Sequence, residues 1–233
     1  PHSDGVRSKV ASKEEVVAWT FKILSRNFFH GKRLLIIGGR SEEPIDSMRI
    51  ITNRSTGMMA VEVAKRAFER GADVELWMGG CSVPLPDYIP TKRFETVADL
   101  VEMVRGIDHD AVIVPAALAD FAPHDVTVGK IPSDQGFGLD LDPVPKVLPL
   151  IRTRCDVVIG FKAESGLTRQ ELVEKARSRL EMYNLAAVVA NDIDVVGRTS
   201  SSATLVTRTD AKDISGTKAE VSDAILDYCV KKL

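Results

Sequence analysis

Residues 34–39 read LLIIGG, four branched apolar side chains closed by two glycines. An unbroken apolar run of this length suits a strand buried on both faces, and a glycine pair directly after it suits the first strand of a nucleotide-binding sheet. A helix is then expected within a few residues. Instead Pro44 and the Asn53 to Gly57 cluster delay it, and the helical pattern begins only with MMAVEVAKRAFERG, residues 58–71, with Gly71 as its C-terminal stop. The connection is about three times the usual βα length. Its second half, RIITNRSTG at 49–57, carries arginine, asparagine and hydroxyl side chains where a short turn would serve.

Working outward, SKEEVVAWTFKILSR (12–26) places Ser12 three residues ahead of Glu15 and predicts a leading helix with a capping box. Residues 1–30 are expected to form a helical extension or linker, and residues 31–233 a nucleotide-binding domain. Pro1 in place of Met is expected of a chain that was processed or cut from a longer one. Downstream, strands are predicted at 73–79, 110–117, 156–164, 186–191 and 203–207, and helices at 95–106, 144–151, 168–183 and 217–232. Apolar strands alternating with helices predict an α/β fold, a doubly wound, mostly parallel Rossmann-like sheet with helices on both faces.

Composition narrows the function classes. With 31 basic and 33 acidic residues the net charge is -2, so no basic field exists to attract nucleic acid. Cys81, Cys155 and Cys229 are odd in number and far apart, which fits reduced thiols better than a disulfide framework or a zinc site. No apolar run is long enough to span a bilayer, and no signal-peptide pattern opens the chain, so a cytoplasmic location is expected.

Ligands of such sheets collect at the carboxyl ends of the strands. Four segments qualify: GGRSEEPIDSMRIITNRSTG (38–57), PAALADFAPHDVTVGKI (115–131), FKAESG (161–166) and ANDID (190–194). They hold no Ser-His-Asp order, no cysteine and no paired metal-binding histidines, so positioning of anions is favoured over nucleophilic catalysis. Ser55, Thr56 and Gly57 can cap the following helix or present its unpaired amides to a phosphate. Arg49 is either a solvated charge or a fork for a carboxylate or phosphate. Lys130 after Gly129 is a flexible ammonium able to follow a phosphate. Asp120 and Glu164 read equally as turn or cap residues. His2, His30, His109 and His124 read as surface residues. A dinucleotide oxidoreductase is the rival, but G-x-G-x-x-G is missing and the second strand ends in WMGG without an acidic residue. Tyr228 and Lys232 have Tyr-x-x-x-Lys spacing on the last helix, which reads as chance.

In order and spacing, GGRSEEPIDSMRIITNRSTG, PAALADF followed by VGKI, GFKAES and VVAND resemble the motifs of the phosphopantothenoylcysteine synthetase family, over about residues 32–233. The resemblance implies a ligase of coenzyme A biosynthesis that joins 4'-phosphopantothenate to cysteine through an acyl-nucleotide, using Mg2+ and a nucleoside triphosphate. It implies that Asn53 holds the acyl-nucleotide, that Arg49 acts beside it, and that Lys130 belongs to a mobile loop assisting the nucleotide chemistry. Ala116, Asp120, Phe161 and the turn Pro145, Lys146, Val147 and Leu148 match nucleotide-binding positions, with Gly39, Ser41, Ser55 and Gly57 near the phosphates. Metal ligands stay unassigned. A homodimer is implied, as is a flavin-dependent decarboxylase, fused or associated, because the leading helix resembles the joining segment of fused members.

The chain departs from the bacterial pattern at Met58, Ala60 and Pro132, where lysine, glycine and lysine are usual. Lys162 and Tyr183 look more like the ATP-using eukaryotic members, whereas the fused arrangement goes with CTP. CTP is favoured and ATP stays open. A non-catalytic nucleotide sensor, suggested by the missing lysines, is the third class.

Overall fold

All of residues 34–39 are buried at the centre of a sheet in the computed structural model, which describes residues 2–3, 8–25, 28–134, 136–192 and 201–233. In chain order the elements are β1 His2–Ser3, β2 Ser8–Lys9, α1 Lys13–Leu24, β3 Arg33–Gly38, the hairpin of β4 Glu42–Pro44 and β5 Ile50–Thr52, α2 Met58–Glu69 and β6 Asp73–Met78. Next come β7 Thr91–Arg93, α3 Val97–Val104, β8 Ala111–Val114, the paired strands β9 Phe121–Pro123 and β10 Leu141–Pro143, and α4 Val147–Arg152. The chain closes with β11 Val157–Glu164, α5 Arg169–Met182, β12 Ala187–Asp192, β13 Ser201–Val206, β14 Ala211–Gly216 and α6 Lys218–Val230.

The main sheet has eight strands in the order β14-β13-β12-β11-β8-β3-β6-β7. From β12 to β7 neighbouring strands run parallel, and β13 and β14 add an antiparallel edge. Alternation along β3 divides the core. Leu34 and Ile36 pack with α1, α2 and α6, whereas Leu35 and Ile37 pack with Trp77 and the apolar faces of α3, α4 and α5. All four are 0% exposed, and each such side chain contributes roughly 1.5–3 kcal/mol by leaving water. Helices on both faces of a mostly parallel sheet are the doubly wound α/β architecture expected from the sequence.

The caps explain several helix starts. Thr96 with Asp99, Thr168 with Glu171 and Thr217 with Glu220 form reciprocal capping boxes for α3, α5 and α6, and the Ser12 hydroxyl accepts the Glu15 N–H at 3.1 Å at the start of α1. The docking of α1 onto α2 uses Ala18, an edge-on contact of Trp19 with Phe68, and Lys22, whose ammonium donates to the Ala72 carbonyl at 2.7 Å. No helix among the described residues is long and apolar enough to cross a membrane.

The long connection after β3 holds a hairpin that the sequence did not announce, because β4 and β5 pair within it. The short strands β7, β9, β10 and β14 went unpredicted, because TKR, FAP, LDP and AKDISG lack a long apolar run. His109 is not a surface residue: its side chain is 6% exposed, its Nε2 lies 3.3 Å from Glu75, and burial holds its pKa below the ordinary value. Ile193 and Asp194 of the ANDID segment lie outside the described residues, as does the side chain of His2.

Candidate functional site at the switch point

From β3 the chain runs to β6 on one side of the sheet and later returns to β8 on the other. In doubly wound folds the crevice beside such a reversal, here at the carboxyl ends of β3 and β8, is where ligands bind. Gly38 ends β3 with no room to spare, since a Cβ there would lie 2.0 Å from the Ala60 methyl on α2. Gly39 adopts a φ of +79°, and a Cβ on it would come within 2.8 Å of the Gly80 carbonyl oxygen. The two glycines thus let α2 and the β6 exit close on the strand end.

Beyond them the chain is pinned from both sides. The Arg40 N–H donates to Gly80 at 2.9 Å and the Gly80 N–H donates back at 2.8 Å, while the Ala117 N–H donates to Gly39 at 2.8 Å. Ser41 is fully buried: its hydroxyl accepts the Ala119 N–H at 2.9 Å and its carbonyl accepts the Thr52 hydroxyl at 2.7 Å. Exposed Asn53 reaches back across the crevice, donating from Nδ2 to the Ala117 carbonyl at 3.1 Å. The structure therefore brings Gly39, Ser41 and Asn53 into one bonded group beside Ala116.

Gly57 starts α2 in the left-handed region (φ +80°), with no side-chain cap and no acidic residue in the first turn. Among the described residues the Ser55 and Thr56 hydroxyls accept only the Gly57 and Met58 amides, at 3.3 and 3.4 Å. The cap reading of this cluster is thus met only by those two long local bonds. The positive end of a twelve-residue helix therefore carries no acidic residue of its own first turn, a setting that favours an anion.

Lys130 is exposed on the segment between β9 and β10, and that segment is fastened to the β4–β5 hairpin. Thr127 donates to the Ile45 carbonyl at 3.0 Å, and Ser47 donates to the Gly129 carbonyl at 3.1 Å. Asp46, 3% exposed, is the hub. Its carboxylate accepts the Ile131 N–H at 3.0 Å, the Met48 and Arg49 N–H groups, and Arg49 Nη1 at 2.6 Å. The Ile131 amide, then those of Met48 and Arg49, then the Arg49 charge, hold its pKa down at about 2 against the opposing effect of burial. The Arg49 fork also donates through both Nη atoms to the Ile131 carbonyl at 3.2 Å, so it ties the hairpin to the Lys130 segment.

The remaining residues border the next strand. Phe161 lies one position beyond the Val114–Gly160 pair of β8 and β11 and packs on the core. Lys146 donates to Asp120 at 2.5 Å, joining the β8 exit to the Pro145 turn, and Val147 and Leu148 of α4 turn inward. Glu164 pairs with Lys162 at 2.6 Å and Lys175 at 3.5 Å, and the Lys162 contact above all lowers its pKa. The Tyr228 hydroxyl donates to the Ala186 carbonyl, away from these loops in sequence. No group of three or more His, Cys, Asp or Glu among the described residues could hold a metal ion.

Sequence reading missed Arg40, Asp46 and Ala117. Only Asp46 left a local trace, as an aspartate placed to bond amides two and three residues on.

All of these loops lie within the stretch that matches a known family. The profile of the DNA/pantothenate metabolism flavoprotein C-terminal domain matches residues 29–233. The coenzyme A biosynthesis bifunctional protein CoaBC of Thermococcus kodakarensis is 35% identical over 241 aligned residues, covering all of this chain and 59% of that protein. Its counterpart in Methanocaldococcus jannaschii is 34% identical with the same coverage. The chain thus spans about three fifths (59%) of the length of these curated relatives. A crystal structure of the C-terminal domain of a CoaBC protein superposes with a TM-score of 0.72 at 29% identity, covering 88% of this chain and 97% of that one.

Proposed function

Because the chain belongs to the DNA/pantothenate metabolism flavoprotein C-terminal domain family, we propose that it is the ligase that joins 4'-phosphopantothenate to L-cysteine in coenzyme A biosynthesis. The observation that carries this reading is the Asn53 amide held over Ala117 at the switch point, beside the uncapped start of α2. A carboxylate is a poor electrophile, so the substrate carboxylate first attacks the α-phosphate of a nucleoside triphosphate and pyrophosphate leaves. The cysteine amine then attacks the acyl carbon, loses its proton, and expels the nucleoside monophosphate. Both steps require two anions to be aligned and developing charge to be met by fixed donors, not by a protein nucleophile.

In this reading Asn53 and Ala116 border the acyl-nucleotide, and Ser55 and Gly57 lie at the phosphates with Gly39 and Ser41 beneath. Lys130 supplies a mobile positive charge. Arg49 acts by holding the Lys130 segment to the β4–β5 hairpin, as its bonds to Asp46 and Ile131 suggest. Asp120, Lys146 and Phe161 line the base side, with Pro145, Val147 and Leu148 in the same turn. Glu42, Asp46 and Asp120 on these loops are each paired with a cation, so in this reading Mg2+ would be held mainly by the nucleotide phosphates.

CTP is the favoured nucleotide and ATP the alternative. A homodimer belongs to the proposal, supported by exposed apolar side chains on the two hairpin regions, among them Met48, Phe121 and Val128. A flavin-dependent decarboxylase, fused or associated, is supported by the bifunctional relatives. Pyrophosphate release, measured with phosphopantothenate, cysteine, Mg2+ and either CTP or ATP, tests reaction and nucleotide together. Release dependent on phosphopantothenate is expected, faster with CTP. No release with either nucleotide sinks the ligase; thermal stabilisation by NADPH but not by nucleoside triphosphates would turn the reading to an oxidoreductase.

A further inference from the structure

The segment from Thr52 to Gly57 contains no helix or strand after Thr52, yet it carries Asn53 and leads into α2. Among the described residues four contacts tether it to other loops. Thr52 donates to Ser41, Asn53 to Ala117, the Ser82 N–H to the Thr56 carbonyl at 3.0 Å, and Arg40 Nη1 to the Ser55 carbonyl at 2.9 Å. The last is the charged tether, and it acts on the residue midway between Asn53 and Gly57.

Arg40 is built for that position. Its main chain is bonded to Gly80 in both directions, so the side chain starts from a fixed root. The guanidinium, 23% exposed, splits its fork: Nη1 takes the Ser55 carbonyl while Nη2 lies 3.0 Å from Glu42 Oε1. Glu42 is fixed in turn by its own N–H bond to the Glu95 carbonyl at 2.8 Å. Glycine at position 80 makes room for the pair, since a Cβ there would stand 2.1 Å from Glu42 Oε1. With its charge already met by Glu42, Arg40 is poorly suited to be a phosphate ligand. It is well suited to orient a loop, because a planar fork can serve two acceptors at once where an ammonium serves one point.

We propose that Arg40 is the positioning residue that sets the Asn53–Gly57 segment, and with it the start of α2, against the crevice. Its effect on turnover rests on the ligase reading; its effect on the loop does not. The test uses the full chain with Arg40→Ala and Arg40→Lys, read by amide hydrogen exchange over residues 53–59 and by steady-state kinetics. In Arg40→Ala, exchange over 53–59 should rise at least about tenfold with the distal turns of α2 unchanged. The kcat should fall about tenfold to a hundredfold, as expected for a displaced reacting geometry, with nucleotide KM within about threefold. Arg40→Lys should fall between parent and alanine in both. Unchanged exchange overturns the proposal, and so does a raised KM with kcat intact, which would make Arg40 a direct nucleotide ligand. Should the alanine variant not fold, a lysine variant matching the parent in both readouts overturns it equally. A parent that releases no pyrophosphate removes the ligase reading, and the exchange data then decide Arg40 alone.

Discussion

Asn53 shows what one neutral amide can contribute beside two anions. Its Nδ2 already donates to the Ala117 carbonyl, which fixes the side chain, and its Oδ1 is an acceptor that carries no charge. Asn53→Asp keeps the shape but sets a carboxylate oxygen against that carbonyl and adds a negative charge where the acyl-nucleotide would lie. The expected result is a burst of about one pyrophosphate per site followed by phosphopantothenoylcysteine formation slowed about a hundredfold, because the added charge works against the preorganised electrostatics of the second step. Quenched-flow separation of the two products checks it, and unchanged steady turnover would remove Asn53 from the mechanism. Asn53 drew notice in the sequence because polar side chains occupy an overlong turn, although only the family resemblance gave it a task. Arg40 did not, since its partner Ser55 is fifteen residues away and its backbone partner Gly80 lies on another strand's exit. The WMGG end of that strand counted in the sequence only against a dinucleotide site; in the structure its second glycine admits the Arg40–Glu42 pair.

At the scale of elements, the long apolar strands and capped helices could be read directly, because their signals lie within one segment. The hairpin regions could not, because what orders them is a contact between distant loops centred on Asp46. This hub has a pH signature. The folded pKa of about 2 lies below the ordinary value of 3.8, so the contribution of the Asp46 anchor is fully present above the ordinary value and is lost as pH falls through the folded one. Acid titration of the Ile131 amide resonance should give a midpoint near 2, whereas a midpoint near 3.8 would mean that the carboxylate is not bonded as described. At neutral pH Asp46→Asn should loosen the Lys130 segment, seen as faster proteolysis within residues 124–136. A cleavage rate equal to that of the parent would show that the anchor is dispensable.

At the scale of the molecule, two exposed apolar surfaces among the described residues demand different explanations. One lies on α1, where Phe21, Ile23 and Leu24 face outward. The other lies on the two hairpin regions at the carboxyl end of the sheet, where Met48 is 70% exposed and Val128 fully exposed, close in sequence to Arg49 and Lys130. Exposed apolar side chains beside short two-stranded sheets invite association with another chain. If the proposed dimer forms there, each copy covers the apolar flank of the other's site. Light scattering should then give twice the chain mass, and Val128→Glu with Leu141→Glu should give a folded monomer with turnover reduced at least about tenfold. Ile23→Glu on α1 is the control and should leave the mass doubled. A monomeric parent, or hairpin variants that remain dimeric, would place the association elsewhere, and a shift to monomer with Ile23→Glu would place it on α1.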